Sequence, residues 1–205
     1  MDTREEAATA RCLISAPARF HRLCAKRQVA WGIVRSVIVC APRFNALVDR
    51  WGSKGAVLGL AMTELIRACR TPDSTAEPIA FIVDKHGGRN QYSALLQHAF
   101  DDAPVLARAE HADCSHYEAI GLDRSVTITF RPRADARNFC VALASMVSKY
   151  LREVCMHEFN GFWQDKVPGV KPTAGYPGDS QRFFDEIRPT AARLGIAETS
   201  LWRQR

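Results

Sequence analysis

The sequence has no CxxC pair and no cysteine spacing of the zinc type. Its cysteines are odd in number: seven, at positions 12, 24, 40, 69, 114, 140 and 155. That pattern shows no zinc-ribbon spacing and fits a reduced chain best. Cys40, Cys140 and Cys155 lie inside apolar runs and are expected to pack as small buried hydrophobes. Arg11, Arg19, His21 and Arg22 break the N-terminal region before an apolar stretch of signal-peptide length can form, and no run anywhere is long enough to span a membrane. A cytoplasmic chain is therefore expected. Internal repeats and low-complexity tracts are also missing, which argues against a solenoid or a disordered linker protein. What remains is 205 residues, 47% hydrophobic, enough for one domain with a real core. Lys and Arg number 28 against 22 Asp and Glu, a net charge of +6 that favours a polyanionic partner modestly and proves none.

Along the chain, residues 1–28 are rich in Ala and Arg and read as a helix or two, separate from the domain expected over residues 29–205. Trp31 to Cys40, WGIVRSVIVC, is β-branched and almost continuously apolar up to Ala41-Pro42, the signature of a buried strand. Apolar residues then recur at helical spacing on both sides of Gly52-Ser53-Lys54-Gly55, giving two helical pieces, the second ending near Arg70. Residues 70–78 read as a linker, Ile79 to Val83 as a short strand closed by Asp84, Tyr92 to Phe100 as a helix and Ser125 to Arg131 as a strand ended by Pro132. From Asn138 to about Trp163 the apolar positions predict one long buried helix, followed by a turn at Gly175-Tyr176-Pro177 and a short helix. The fold class is α/β.

Chemistry is suggested first by two carboxylates. Asp84 directly follows a buried strand, and Asp135 lies just past the next strong strand and opens the long helix, so both can converge on one end of a sheet. Paired carboxylate oxygens suit magnesium or manganese. An Asp at a strand end or helix start also serves as a cap, and the residues alone leave both roles open. Ser145 and Lys149, four apart, share a helix face, and Lys149 is either a surface residue or a partner for an anion. Arg131, Arg133, Arg137 and Lys149 form a candidate phosphate-binding patch around Asp135, with Arg89 a further candidate after Asp84.

In order, these residues resemble the ribonuclease HII branch of the ribonuclease H-like nucleases. RADARNFCVALASMVSKYLRE is similar to that family's segment of a catalytic Asp followed by a small-residue helix with an SxxxK signature, carried here by Asp135, Ala136, Ala142, Ala144, Ser145, Lys149, Arg152 and Glu153. Ile82-Val83-Asp84 is similar to its strand ending in VDG, with Lys85 in place of the glycine, and Gly175-Tyr176-Pro177 to its GYP turn. FNALVDRWGSKGAVLGLAMTELI resembles the helical segment before the third acidic residue.

The resemblance implies a ribonuclease H-like mixed sheet flanked by helices and a metal-dependent endonuclease. Its substrate would be the RNA strand of RNA–DNA hybrids or single ribonucleotides in duplex DNA. It implies Asp84 and Asp135 as catalytic residues holding Mg2+ or Mn2+. Substrate binding falls to Tyr176, Gly175, Lys149, Ser145, Arg137 and Arg89, with Tyr176 packing on the ribose beside the 2′-hydroxyl. A monomer is expected. The family opens with a strand carrying adjacent Asp and Glu in a motif like DEAGRG, and no such motif stands here, since Asp2, Glu5 and Glu6 precede no strand. The sheet is thus expected to lack its first strands and the site two of four carboxylates, as in an incomplete copy of a longer nuclease. Two alternatives follow: a non-catalytic hybrid-binding module, or a structural α/β protein.

Overall fold

The computed structural model describes residues 18–27, 29–30, 32–70 and 77–204. The chain separates into two units, residues 1–34 and 35–205. In the first, residues 18–26 are helical (α1), ending where the Val29 N–H donates to Cys24 O. The linker expected over residues 70–78 falls mostly outside the described residues.

The second unit begins with two helices where periodicity places them, α2 at Ala41–Trp51 and α3 at Lys54–Cys69. They are separated because Gly52 takes a left-handed φ of 74°, which a glycine adopts at no steric cost, and because Ser53 then caps α3 by accepting from the Ala56 N–H at 3.1 Å. Asn45, buried on α2, ties down the chain's far end through hydrogen bonds to Thr199 O, Trp202 O and Gln204 N–H.

β1 (Ile79–Asp84), β2 (Val105–Glu110), β3 (Ser115–Ala119) and β4 (Val126–Arg131) form a mixed sheet in the order β1-β4-β3-β2. β1 lies parallel to β4, with Ile79 opposite Val126 and Asp84 opposite Arg131, while β4, β3 and β2 run as an antiparallel meander. One face is apolar. Ile79, Phe81 and Val83, with Val126, Ile128 and Phe130 and with Tyr117 and Ala119, meet Met62 and Ile66 of α3 and Leu96 of the short helix α4 (Ser93–Gln97). Tyr92 stacks on Phe130 at 3.7 Å between ring centroids and 6° between planes, at the centre of this core. The other face carries Ala80, Ile82, Asp84, Thr127, Thr129, His116 and Glu118.

After a 3-10 turn at Ala134–Ala136 comes α5 (Phe139–Lys166), capped by Asn138, then α6 (Pro177–Arg193) and α7 (Glu198–Leu201). The C-terminal end of α5 builds a second core with α6 from Trp163, Val170, Phe183, Ile187 and Ala191. No described helix is long and apolar enough to cross a membrane.

Three expectations are corrected. Residues 32–40 form no strand: Ile33, Val34 and Ile38 are 60%, 61% and 57% exposed, because no described strand offers this β-branched run a ladder. The helix after Asn138 forms at full length but is not buried, with Trp163 its one buried residue, since its neighbours cover it along one side and leave Phe139, Met146 and Tyr150 exposed. Cys40, Cys140 and Cys155 are exposed for the same reason: their apolar runs lie on these uncovered segments.

The two faces of the sheet differ in energetic weight. Phe130→Ala, which empties the middle of the aromatic stack, is expected to cost about 3–5 kcal/mol in urea unfolding. Ile82→Ala, on the open face, is expected to cost under ~1 kcal/mol.

Candidate active site at the end of the parallel strands

The parallel pair carries both strand ends to one edge of the sheet, the place where open α/β sheets leave a crevice for ligands. Asp84, last residue of β1, turns its carboxylate to the chain leaving β4: Oδ1 accepts from the Ala134 N–H at 3.0 Å. Asp135 is the next residue. Its own Oδ1 accepts from the Ala136 N–H at 2.9 Å inside the 3-10 turn, and it remains exposed. The two carboxylates expected to converge are therefore brought to one end of the sheet. Asp135 does not open the long helix, however; a separate turn holds it, and Asn138 caps α5 instead.

Arg133 in that turn has φ 53° and ψ 43°, making it the one non-glycine residue at positive φ among those described. A side chain there costs about 1–2 kcal/mol, and such positions gather at functional sites. Arg131, Arg133 and Arg137 are exposed and, among the described residues, no ion pair engages them. Arg89 stands at the same end of the sheet, its guanidinium 5.9 Å from the Tyr92 ring centre and 3.6 Å from where a Cβ on Gly55 would be, at the start of α3. Lys85 is occupied structurally: Nζ donates to Asn90 Oδ1 at 2.7 Å and to His111 O at 2.5 Å, pinning the loop after β1 to the β2–β3 turn.

A second group forms at the middle of α5. The Arg152 guanidinium lies 4.8 Å above the Tyr176 ring centre and donates to Ala174 O. Gly175 takes φ 73°, and a Cβ there would meet Arg152 and Met156 at 3.5–3.6 Å. Asn160 clamps the incoming loop by bonding both the N–H and the carbonyl of Thr173, each at 2.9 Å. Beyond the turn, the Thr173 hydroxyl and then Arg182 hold the Asp179 carboxyl below its usual range. Ser145 and Arg152, seven residues apart, lie on one stripe of α5. Lys149 is exposed, so solvation alone accounts for its charge.

The structure does not set Tyr176 against the carboxylates. Arg152 lies fourteen residues beyond Asn138, about 21 Å along the helix at 1.5 Å per residue. Two shallow hollows of the surface, one along residues 118–125 and one between α2, α6 and the C-terminal tail, do not touch Asp84 or Asp135. The candidate site is an open edge and fits an extended ligand better than a small enclosed one.

The fit of a metal can be judged from the donors. Asp84 and Asp135 each keep one carboxylate oxygen free of a hydrogen bond, and among the described residues no group of three or more His, Cys, Asp or Glu is arranged to hold an ion. Two carboxylates suit a single magnesium or manganese completed by water and phosphate oxygens; they do not build a two-ion centre.

Sequence reasoning missed His86. Its ring lies edge-on against the stacked pair of Tyr92 and Phe130, and Nδ1 is buried without a hydrogen-bond partner. Burial first, then the Arg89 charge, lowers its pKa, opposed by Asp84. The available signal was a histidine two residues past a strand-end Asp. A base with a lowered pKa in the fold binds fewer protons than the unfolded chain, so stability is complete above the ordinary value of 6.5 and falls as pH drops below it. Tm is expected to decline below pH 6.5, and His86→Leu should flatten that decline. Arg133→Gly, relieving the left-handed residue, is expected to add about 1 kcal/mol in urea unfolding, and Arg133→Val to lose at least that much.

Comparison of the chain with protein-family models, with curated proteins and with solved structures returns no match.

Proposed function

We propose that the chain handles ribonucleotide-containing nucleic acid as a metal-dependent endonuclease of the ribonuclease HII type, on a ribonuclease H-like fold lacking its first strands. Its substrate is the RNA strand of an RNA–DNA hybrid or a single ribonucleotide in duplex DNA, cut on the 5′ side to leave a 3′-hydroxyl. The observation that carries this reading is the hydrogen bond from the Ala134 N–H to Asp84, which sets Asp135 one residue from the carboxylate that ends β1.

Around that pair, Arg131, Arg133 and Arg137 offer positive charge for phosphates. Arg152 and Tyr176 offer a cation and an aromatic face about 21 Å away along α5, roughly six base-pair steps of duplex. A duplex laid along α5 would span both groups, with Ser145 and Lys149 between them. Mg2+ or Mn2+, held by Asp84 and Asp135, supplies Lewis-acid chemistry at a phosphate oxygen when bound. The protein's own part is to hold the carboxylates at a rigid strand end and to fix the phosphate register through the arginines. One observation favours a second reading, a non-catalytic hybrid-binding module: no third ligand joins the two carboxylates among the described residues.

Incubation with a duplex containing one ribonucleotide, with Mn2+, separates the two. Cleavage 5′ to the ribonucleotide that drops at least ~100-fold in Asp135→Asn is the expected result. Binding without cleavage selects the second reading. For either, each of Arg133→Ala and Arg137→Ala should lower the salt slope of binding by about one. An absence of salt-dependent affinity for hybrids would overturn both.

A further inference from the structure

α5 turns its apolar stripe outward. Phe139, Leu143, Met146, Val147, Tyr150 and Val154 recur at the spacing of one helix face, yet Phe139, Met146 and Tyr150 are 63%, 66% and 68% exposed. A different stripe of the same helix carries Arg152 and Met156, which face the turn at Gly175. α5 packs against β1 and contributes nothing to the core on the sheet's other face.

β1 is itself an edge. Ile79 N–H donates to Ser125 O and Lys85 N–H to Arg131 O, so the odd-numbered residues face β4, and the N–H and C=O groups of Ala80, Ile82 and Asp84 point away from every described strand. Natural edges are blunted by Lys, Pro or bulges, and IAFIVD has none of these across its length.

We propose that this corner, the free edge of β1 with the outer stripe of α5, is the interface of a homodimer, in place of the monomer expected from sequence. A two-fold axis normal to the sheet at the β1 edge pairs β1 antiparallel with the β1 of a second copy. It also puts both copies of α5 on one face of the joined sheet, where their stripes meet. Such an interface is self-complementary, as a two-fold requires. None of the six stripe residues is charged, so no like charges from the stripes face each other across the two-fold.

The area is adequate. A large side chain presents about 150–250 Å2, so Phe139, Met146 and Tyr150 leave on the order of 400 Å2 uncovered. Leu143, Val147, Val154, Ile82 and the strand backbone extend this toward the ~800 Å2 per partner of a stable complex.

The test does not depend on function: it is the mass of the full chain in solution, by light scattering over roughly 1 to 100 µM. A mass of twice the chain is expected at the upper end. Met146→Lys on the exposed helix face and Ile82→Pro, which removes an outward N–H but no β1–β4 bond, are each expected to give monomers with an unchanged circular dichroism spectrum. A wild-type monomer throughout, or variants that remain dimeric, would overturn the proposal. Hydrogen exchange at Ala80, Ile82 and Asp84 distinguishes other occupants. Protection that vanishes on dilution supports the dimer. Protection independent of concentration means that a strand of the same chain, such as residues 35–40, covers the edge, and the proposal fails.

Discussion

The parallel pairing of β1 with β4 is the constraint on which the candidate site depends. Parallel strands end at the same edge, so the ladder from Ile79–Val126 to Asp84–Arg131 fixes where the chain after each strand must emerge. The residue that closes β1 and the turn that follows β4 become neighbours although fifty residues separate Asp84 from Ala134. Had β1 run antiparallel to β4, the two carboxylates would lie at opposite ends of the sheet. The aromatic stack of Tyr92 on Phe130 fastens the loop after β1 over this same edge, because Tyr92 also gives its N–H to the Tyr117 hydroxyl at 2.8 Å and its own hydroxyl receives the His86 N–H at 3.0 Å.

That loop shows how polar atoms are managed beneath the site. The Tyr117 hydroxyl donates to Glu110 at 2.5 Å, and its pKa is pushed up to about 12, by burial first and then by that bond. It therefore stays a neutral donor at any physiological pH. Ser115 donates to Asn90 O at 2.6 Å, so a buried hydroxyl satisfies a loop carbonyl. His86 Nδ1 is the exception in this network. A rigid polar lattice with one unpaired member places the cost of desolvation beside Asp84 and Arg89, where a change in His86 protonation is felt electrostatically by both.

Much of this was legible before any coordinates. α2, α3, β1 and β4 stand where periodicity and β-branching put them, and the placement of Asp84 and Asp135 at one end of the sheet followed from one acid closing a strand and the other lying just past the next. β2 and β3 were not visible, for a physical reason. Their buried positions include Ser115 and Ala119, small residues whose burial leaves no apolar alternation, and β2 is broken between Ala107 and Ala109 by a register shift. The distance of Tyr176 from the carboxylates was equally invisible, because motif order along a chain carries no information about separation along a helix axis.

The two clearest departures share a cause. Burial belongs to a residue and its neighbours jointly, whereas helical or β-branched character belongs to the sequence. Residues 32–40 keep the character of a strand and lack a ladder; α5 keeps its full length and its apolar stripe and lacks a surface to press it on. A helix of 28 residues persists without that surface because Asn138 caps it, Arg152 against Tyr176 and Gly175 holds its middle, and the Asn160–Thr173 clamp with the Trp163 cluster anchors its last turns. Its outward stripe is therefore held rigid while uncovered. A preformed apolar face loses little conformational entropy when something docks on it, so the arrangement of anchors that exposes the stripe also favours its being covered.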